Sequence, residues 1–348
     1  MPSEQNFNFA VFGRHATSAD FIKKLHAKGF PVPTVIISED DEYIRDQRLL
    51  KPFGLYGNLE PLAEKGWANL YKLKNINCSE TIKVLTDHKC NIALSISCRN
   101  IIKSEVINFF NGKIFNLHDS FLPNERGGAL NSWRILNNID SMGCTIHHLD
   151  EGIDTGAIVL QKETKITKSY PKPIDYLFTE VKNGKWLIDA FIDLILATDS
   201  IPCHVQDNDK SLYFPRLFTE KNGIVNWDWE IDYIERFIRA FGSPYPGAYS
   251  YYCGKKIRFL DVAIDKNMKN EFHPYGNGKI VTLMDDGSIR AIAGKRALIV
   301  KAVAVDGKEE IPAKVLNVKH SLISPHDELL KARAYVPNTK AMNIAEKE

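Results

Sequence analysis

Residues 7–25 read FNFAVFGRHATSADFIKKL, an apolar run that stops at Gly13 and gives way to a segment of mixed polarity. The apolar run predicts a buried β-strand, Gly13 predicts a tight turn, and the apolar side chains beyond it recur at helical spacing. A strand, a turn and a helix in this order form the first unit of a parallel α/β sheet. A second apolar run, residues 32–38, predicts the next strand.

This alternation of strand and helix patterns continues through the first part of the chain. Apolar runs at 92–96 and 113–118 predict further strands, whereas residues 39–58 are acidic and then mixed, with little periodicity. Apolar spacing over residues 173–196 predicts a long amphipathic helix that closes a first domain. We therefore predict an α/β fold with a doubly wound, mostly parallel sheet, whose ligands lie beyond the carboxyl ends of its strands.

The second part of the chain has a different pattern. After a polar, turn-rich stretch, a helix is predicted at 231–241, and strands are predicted at 249–252, 257–262, 279–284, 288–293 and 297–303. Short strands at this spacing are typical of a small β-rich barrel or sandwich. The predicted organisation is a first domain at 1–200, a linker at 201–215, a β-rich domain at 216–335 and a loose tail at 336–348.

Composition narrows the class of protein. The chain has 348 residues, 44% of them hydrophobic and 25% charged, and its formal net charge is +2. These values are typical of a globular protein, and the charge gives no strong field toward nucleic acid or a membrane surface. No run approaches the roughly 20 apolar residues that cross a bilayer, and the first residues lack a signal-peptide pattern. We expect a cytoplasmic protein without a membrane partner.

Cysteine and histidine spacing argue against a metal centre. The six cysteines are scattered without paired spacing, which favours free thiols in a reducing compartment. His147, His148 and Asp150 lie close together in sequence, but neighbouring residues of a strand point to opposite faces. We therefore predict no metal.

Catalytic residue types are densest in two segments, IFNLHDSFLPNERGGALNSW at 114–133 and GCTIHHLDEGIDTG at 143–156. Asn116 and His118 are two residues apart at the end of a predicted strand, so their side chains leave the same face. Asp154 follows another predicted strand in a glycine-rich loop. Because strand ends converge in a parallel sheet, the three side chains can share one cleft.

An amide, an imidazole and a carboxylate suit acyl transfer to an amine. The amine must lose a proton, the tetrahedral oxyanion needs a donor, and the departing nitrogen needs a proton. His118 can move the proton, Asn116 can donate to the oxyanion, and Asp154 can orient the imidazole and favour its charged form. Taken alone, a single Asn-x-His pair also fits a histidine that is merely hydrogen-bonded in a turn.

The two segments resemble the motifs of a known enzyme family. N-L-H-D-S-F-L-P-N-E-R-G-G resembles the N-x-H-P-S-L-L-P-x-x-R-G signature of folate-dependent formyltransferases, and the I-D-T-G ending resembles their partner loop. Farther on, IVNWDW and FIRAFGSPYPGAYSYYCGKKIRF resemble the C-terminal domain of methionyl-tRNA formyltransferases and of the sugar-modifying members. The resemblance implies a Rossmann-like formyltransferase domain, an OB-like second domain and a homodimer through that domain.

The resemblance also implies roles for individual residues. Asn116, His118 and Asp154 occupy the catalytic positions, and the co-substrate is N10-formyltetrahydrofolate. The implied folate contacts are Ile96, Ser97, Cys98, Arg99, Asp119, Ser120, Phe121, Asp150, Gly152 and Ile153. The chain departs from the signature at Asp119, Phe121 and Glu125, which changes the folate-facing loop and leaves the three chemical groups in place.

The acceptor is predicted from charge. In the tRNA enzymes a basic loop follows the second strand, whereas this chain has SEDDEY there, and phosphate-rich partners need concentrated positive charge. The P-G-A-Y form of the later motif resembles the members that formylate dTDP-, UDP- or GDP-linked amino sugars for surface polysaccharide such as the O antigen of lipopolysaccharide. The predicted substrate contacts are Arg14, Arg126, Asn131 and Trp133. The alternatives are a methionyl-tRNA formyltransferase and a 10-formyltetrahydrofolate hydrolase or folate-binding protein.

Overall fold

The computed structural model describes residues 7–38, 41–198, 200–268 and 271–336. In these residues the strands are β1 (Phe9–Phe12), β2 (Thr34–Ser38), β3 (Asn69–Leu73), β4 (Ile92–Ile96), β5 (Ile114–His118), β6 (Arg126–Gly127), β7 (Ser141–His148), β8 (Ile158–Lys165), β9 (Tyr213–Phe214), β10 (Ala248–Tyr252), β11 (Lys255–Ile264), β12 (Ile280–Leu283), β13 (Ile289–Ala293), β14 (Arg296–Val305) and β15 (Lys308–Glu310).

The helices of the same residues alternate with the first strands and are sparse among the later ones. They are α1 (Ala16–Ala27), α2 (Asp41–Leu50), α3 (Glu60–Glu64), α4 (Ser79–Asp87), α5 (Ser104–Phe109), α6 (Leu130–Leu136), α7 (Pro173–Ala197), α8 (Thr219–Asn222), α9 (Ile231–Ala240), α10 (Pro312–Val315) and α11 (His326–Ala334). Among them is no helix of the length and apolarity that crossing a membrane requires.

The first sheet has the strand order β3-β2-β1-β4-β5-β7-β8. Strands β1 to β5 pair in parallel, and β7 runs antiparallel to both of its neighbours. Buried side chains of the central strands face two hydrophobic clusters, one on each side of the sheet. The α/β prediction with a doubly wound, mostly parallel sheet is thus confirmed.

The second sheet confirms the predicted β-rich fold after the first one. Its strands run in the order β10-β11-β14-β13-β12, with β15 on β14, and every pairing is antiparallel. Helix α9 packs on this sheet with Ile234, Phe237 and Ile238 in a shared core. This agrees with the strongly amphipathic pattern of the helix.

Two segments differ from what periodicity indicates. The acidic segment with little periodicity contains α2, whose last residue, Leu50, packs together with Leu55 beyond the helix against Ile174 of α7. Residues 201–215, predicted as a linker, pair with the first part of the chain: His204 pairs with Ile158 of β8, and β9 forms a separate two-stranded sheet with β6. Except for Val336, the predicted loose tail lies outside the described residues.

Candidate active site

Strand β5 presents Asn116 and His118 on the same face by alternation, whereas Phe115 and Leu117 point to the opposite face and are buried in the core there. Asn116 pairs with Ser95 of β4 on one side and with His147 of β7 on the other. The alternation of the strand therefore places an amide and an imidazole side by side at its carboxyl end.

The imidazole of His118 faces two oxygen atoms. Its Nε2 lies 3.1 Å from the carbonyl oxygen of Glu125 and 3.6 Å from Oδ2 of Asp154. The first distance is that of a hydrogen bond, and the second is a short charge separation. A small rotation of the ring would redirect the Nε2–H hydrogen bond from the Glu125 carbonyl oxygen to the Asp154 carboxylate.

Asp154 reaches this position through an unusual backbone. Its φ is 56°, in the left-handed region that a non-glycine residue seldom adopts. The Gly127 N–H donates to its Oδ2 at 2.9 Å, and the side chain of Gln206 donates to its carbonyl oxygen at 2.8 Å. Asp154 is therefore held by hydrogen bonds to both its side chain and its main chain.

His147 also belongs to the site, although the sequence did not indicate it. Its Nδ1 donates to the carbonyl oxygen of His148 at 2.8 Å, so its Nε2 is an acceptor for the Asn116 amide 3.3 Å away. Burial lowers the pKa of His147 to about 4, which keeps the ring neutral near pH 7. The neutral ring thus orients the Asn116 amide.

These residues open into a cleft of about 340 Å³. The predicted site residues that line it are Asn116, His118, Asp154, Ser97, Cys98, Arg99, Asp119, Asp150, Gly152, Ile153 and Asn131. The cleft thus brings together the three predicted catalytic residues, most of the predicted folate contacts and one predicted substrate contact.

Three predicted folate contacts do not line the cleft. Ile96 is fully buried in the core of the first sheet, and Ser120 is also fully buried. Phe121 lies against Gly143, where the close approach leaves no room for a side chain. Motif position alone does not separate loop residues that point into the cleft from those that point into the core.

Three predicted substrate contacts also lie outside the lining. Arg14 binds both carboxylate oxygens of Glu60, at 2.9 and 2.6 Å. Arg126 is buried and donates to Gln206 and Asn208. Trp133 donates to the Pro215 carbonyl and lines a separate, mostly apolar cavity of about 560 Å³.

A buried polar network forms one wall of the cleft. Arg134, with 1% of its surface exposed, donates to both carboxylate oxygens of Glu125, to Oδ1 of Asn131 and to the carbonyl oxygen of Asp119. Asn131 donates in turn to Glu180 of α7 at 2.7 Å. The departure from the signature at Glu125 therefore has a structural counterpart, because Glu125 pairs with a buried arginine.

Two carboxyl groups of this wall have raised pKa values. Burial raises the pKa of Glu180 to about 8, and the nearby Asp119 adds to the shift. Burial likewise raises the pKa of Asp119, although His118 and Arg134 oppose the shift. Glu180 in this wall therefore holds a proton near pH 7.

The geometry defines the class of protein. The carboxyl end of a parallel strand holds a donor amide and an imidazole, and the imidazole lies within reach of a carboxylate at the floor of a cleft. Groups of these types, so arranged, are suited to the transfer of an acyl-type group by way of a tetrahedral intermediate.

Comparison with known proteins identifies the family. Residues 6–188 match the family "Formyl transferase", and residues 218–320 match "Formyl transferase, C-terminal domain". The chain therefore belongs to the formyl transferase family and is an enzyme of formyl transfer, as its motifs predicted.

The proteins similar in sequence differ in their described functions. The methionyl-tRNA formyltransferase of Syntrophomonas wolfei is 26% identical over 257 residues, which are 73% of this chain and 78% of that protein. The bifunctional polymyxin resistance protein ArnA of Wigglesworthia glossinidia brevipalpis is 28% identical over 254 residues, 71% of this chain and 36% of that protein.

Solved structures share the fold. WlaRD, a sugar 3N-formyl transferase solved with dTDP and 5-N-formyl-THF, has a TM-score of 0.62 at 19% identity and covers 87% of this chain and 99% of its own. The N-formyltransferase of Helicobacter canadensis, solved with folinic acid and dTDP-3-aminofucose, has a TM-score of 0.62 at 18% identity. It covers 84% of this chain and 98% of its own.

Proposed function

We propose that the enzyme transfers the formyl group of N10-formyltetrahydrofolate to the amine of a dTDP-, UDP- or GDP-linked amino sugar. The reaction would take place in the cytoplasm and serve the building of surface polysaccharide. Asn116, His118 and Asp154 carry the chemistry, and the acceptor is assigned from the charge of the cleft.

The reaction proceeds by addition and elimination at the formyl carbon. The unprotonated amine adds to this carbon, which forms a C–N bond and a tetrahedral oxyanion. One N–H of the Asn116 amide points to His147, and the second N–H remains for the oxyanion. Orientation by the neutral His147 ring prepares this donor before the substrate arrives.

His118 carries the proton between the two nitrogens. It takes a proton from the attached amine and delivers one to N10 of the folate as the C–N10 bond breaks, which leaves a formamide and tetrahydrofolate. The Asp154 carboxylate, 3.6 Å from Nε2, stabilises the imidazolium that exists between these steps.

The folate is assigned to the part of the cleft formed by residues 97–99 and 150–153, as the resemblance implies. Both segments line the cleft beside Asn116 and His118. The complex of HypX from Aquifex aeolicus with tetrahydrofolic acid, which has a TM-score of 0.55 at 16% identity, supports a folate site in this fold.

The balance of charge in the cleft carries the choice of acceptor. Among the described residues, three arginines line it, against five carboxyl groups; the arginines are Arg45, Arg99 and Arg216, and the acids are Asp46, Asp119, Asp150, Asp154 and Glu180. Even with Asp119 and Glu180 protonated, positive charge is not in excess. A tRNA acceptor stem needs such an excess, whereas one diphosphate needs one or two cations.

Arg45 and Arg216 are the cations that we assign to the diphosphate. Arg99 pairs with Asp46 at 2.6 Å, whereas the guanidinium of Arg45 lies over the ring of Phe218. Arg216 passes close to Gly128, next to the residue whose N–H holds Asp154. An amino sugar bound near Asp154 would thus have a cation beside its diphosphate. The two solved neighbours were crystallised with dTDP and with dTDP-3-aminofucose, both of which carry a diphosphate, and this supports a diphosphate ligand.

Methionyl-tRNA formylation is the second candidate, because several curated relatives carry that activity. A coupled assay for tetrahydrofolate release separates the candidates, with a panel of dTDP-, UDP- and GDP-linked amino sugars beside Met-tRNA. We expect turnover with a nucleotide-linked amino sugar and none with Met-tRNA. Turnover with Met-tRNA alone would contradict the sugar acceptor, and release without any amine would indicate a hydrolase.

A further inference from the structure

Gln206 is a buried amide in the segment that joins the two sheets. It has 5% of its surface exposed, and its neighbours at 205 and 207 are exposed. Its Nε2 donates to the carbonyl oxygens of Asp154 and Gly156, both at 2.8 Å. Both N–H bonds of the amide are therefore directed at the loop that carries the catalytic carboxylate.

The other end of the amide is anchored as firmly. Its Oε1 accepts from Nε and Nη2 of Arg126, at 3.1 and 2.8 Å. Nη2 of Arg126 also donates to Oδ1 of Asn208 at 2.9 Å. Hydrogen bonds from a charged donor are stronger than those between neutral groups, so Arg126 fixes the amide plane of Gln206.

This arrangement surrounds a strained residue. Asp154 has φ of 56°, a left-handed conformation that persists in a non-glycine residue only where the surrounding structure enforces it. The Gly127 N–H holds one end of Asp154 by its Oδ2, and Gln206 holds the other end by the carbonyl oxygen. Gly127 follows Arg126 directly, so the short strand β6 supplies the first restraint and, through Arg126, anchors the residue that supplies the second.

We propose that Gln206 is a positioning residue of the formyl transfer: through its amide it holds Asp154 in the left-handed conformation that sets the carboxylate beside His118. Gln206 is not among the residues that line the cleft. The proposal rests on the proposed role of Asp154. It also assigns Arg126 to this support.

The test compares variants in the tetrahydrofolate-release assay, with the acceptor of the panel that turns over fastest. Gln206→Ala removes both hydrogen bonds to the loop, and we expect kcat to fall about ten- to hundredfold, since a small displacement of a catalytic group has this cost. The KM values for folate and acceptor should change less than about threefold, because the cleft lining is intact. A rise in KM by the same factor as the fall in kcat would overturn the proposal.

Gln206→Glu separates positioning from simple anchoring. At about pH 8 a glutamate can still accept from Arg126, but it has no N–H to donate to the carbonyl oxygens of Asp154 and Gly156. We expect kcat to fall as far as in Gln206→Ala. If Gln206→Glu keeps kcat within about threefold of the wild type, Gln206 serves only to anchor Arg126, and the proposal is wrong.

Asn208→Ala is the matched control. It removes another partner of Arg126 from the same segment without a contact to Asp154, and we expect kcat within about twofold of the wild type. In an Asp154→Ala background, Gln206→Ala should lower kcat by less than about threefold, because the group that it positions is gone. A full loss in that background would overturn the proposal, whereas normal turnover of Asp154→Ala alone would instead overturn the role of Asp154.

Discussion

Replacement of Arg134 by methionine tests the buried wall of the cleft. The wild-type side chain is 1% exposed and makes hydrogen bonds to Glu125, Asn131 and Asp119. Methionine has a similar length and fills the space, but it leaves the Glu125 carboxylate buried without a counter-ion. Breaking a buried ion pair from one side costs about 3–5 kcal/mol, so we expect an unfolding temperature lower by on the order of 10 °C.

Catalysis should fall as well. The backbone carbonyl of Glu125 accepts from His118, so loosening this loop moves the acceptor that orients the imidazole. The double variant Glu125→Gln/Arg134→Met removes both charges, and we expect it to recover at least half of the lost stability. Lys331→Met is the control, because it breaks an exposed pair with Asp327 that is worth at most about 1 kcal/mol.

The measurement is calorimetric or circular-dichroism melting at about pH 7, beside the release assay. The reasoning would be refuted if Arg134→Met melted within about 2 °C of the wild type, the scale of a surface substitution. It would also be refuted if the double variant were no more stable than the single one, because the cost would then not come from the unpaired carboxylate.

Two further predictions concern pH and salt. Because the pKa of Glu180 is raised from 4.5 to about 8, the folded chain keeps a proton that the unfolded chain releases within this range. The stability that this proton contributes is therefore lost as pH rises through the range. The melting temperature of Glu180→Gln, relative to that of the wild type, should rise between about pH 5 and pH 8.5. A difference that stays constant with pH would contradict this. For salt, the acceptor KM should rise only modestly from low to physiological ionic strength, whereas a steep log–log slope in KM measurements would indicate a tRNA acceptor.

The shared position of Asn116 and His118, two of the proposed catalytic residues, could be predicted because it depends on a local rule. Asn116 and His118 share a strand face by alternation. Asp154 does not come from the convergence of parallel strand ends, because it follows β7, which runs antiparallel to β5; the loop held by Gly127 and Gln206 brings it to His118. His147 could not be found in this way. Its position opposite Asn116 depends on the antiparallel direction of β7, and an isolated apolar run does not encode direction.

The roles of the arginines depend on partners far away in sequence. Arg126 is buried because Gln206 and Asn208, 80 and 82 positions later, return to it. Arg14 is held by Glu60, 46 positions away. A motif identifies such a residue as charged and near the site, but tertiary contacts decide whether its head group faces a substrate or a protein carboxylate or amide.

Helix α2 is a second case in which long-range contacts outweigh local pattern. Its acidic, weakly periodic sequence has little reason to be helical alone, since short helices gain most of their stability from packing. Leu50 and Leu55 pack with Ile174 of α7, and Asp46 pairs with Arg99 from the end of β4. These partners lie more than 50 residues away, beyond any window of periodicity.

The turnover of His118→Asn tests the central claim most directly. The variant keeps a polar group of similar size but cannot carry the proton between the two nitrogens, so tetrahydrofolate release with the preferred amine acceptor should fall about a hundredfold or more. Asp154→Asn should show a comparable fall, and both variants should keep the melting temperature of the wild type within a few degrees. Near-normal turnover in His118→Asn would contradict the assignment of His118 as the proton carrier and, with it, the mechanism proposed for this site.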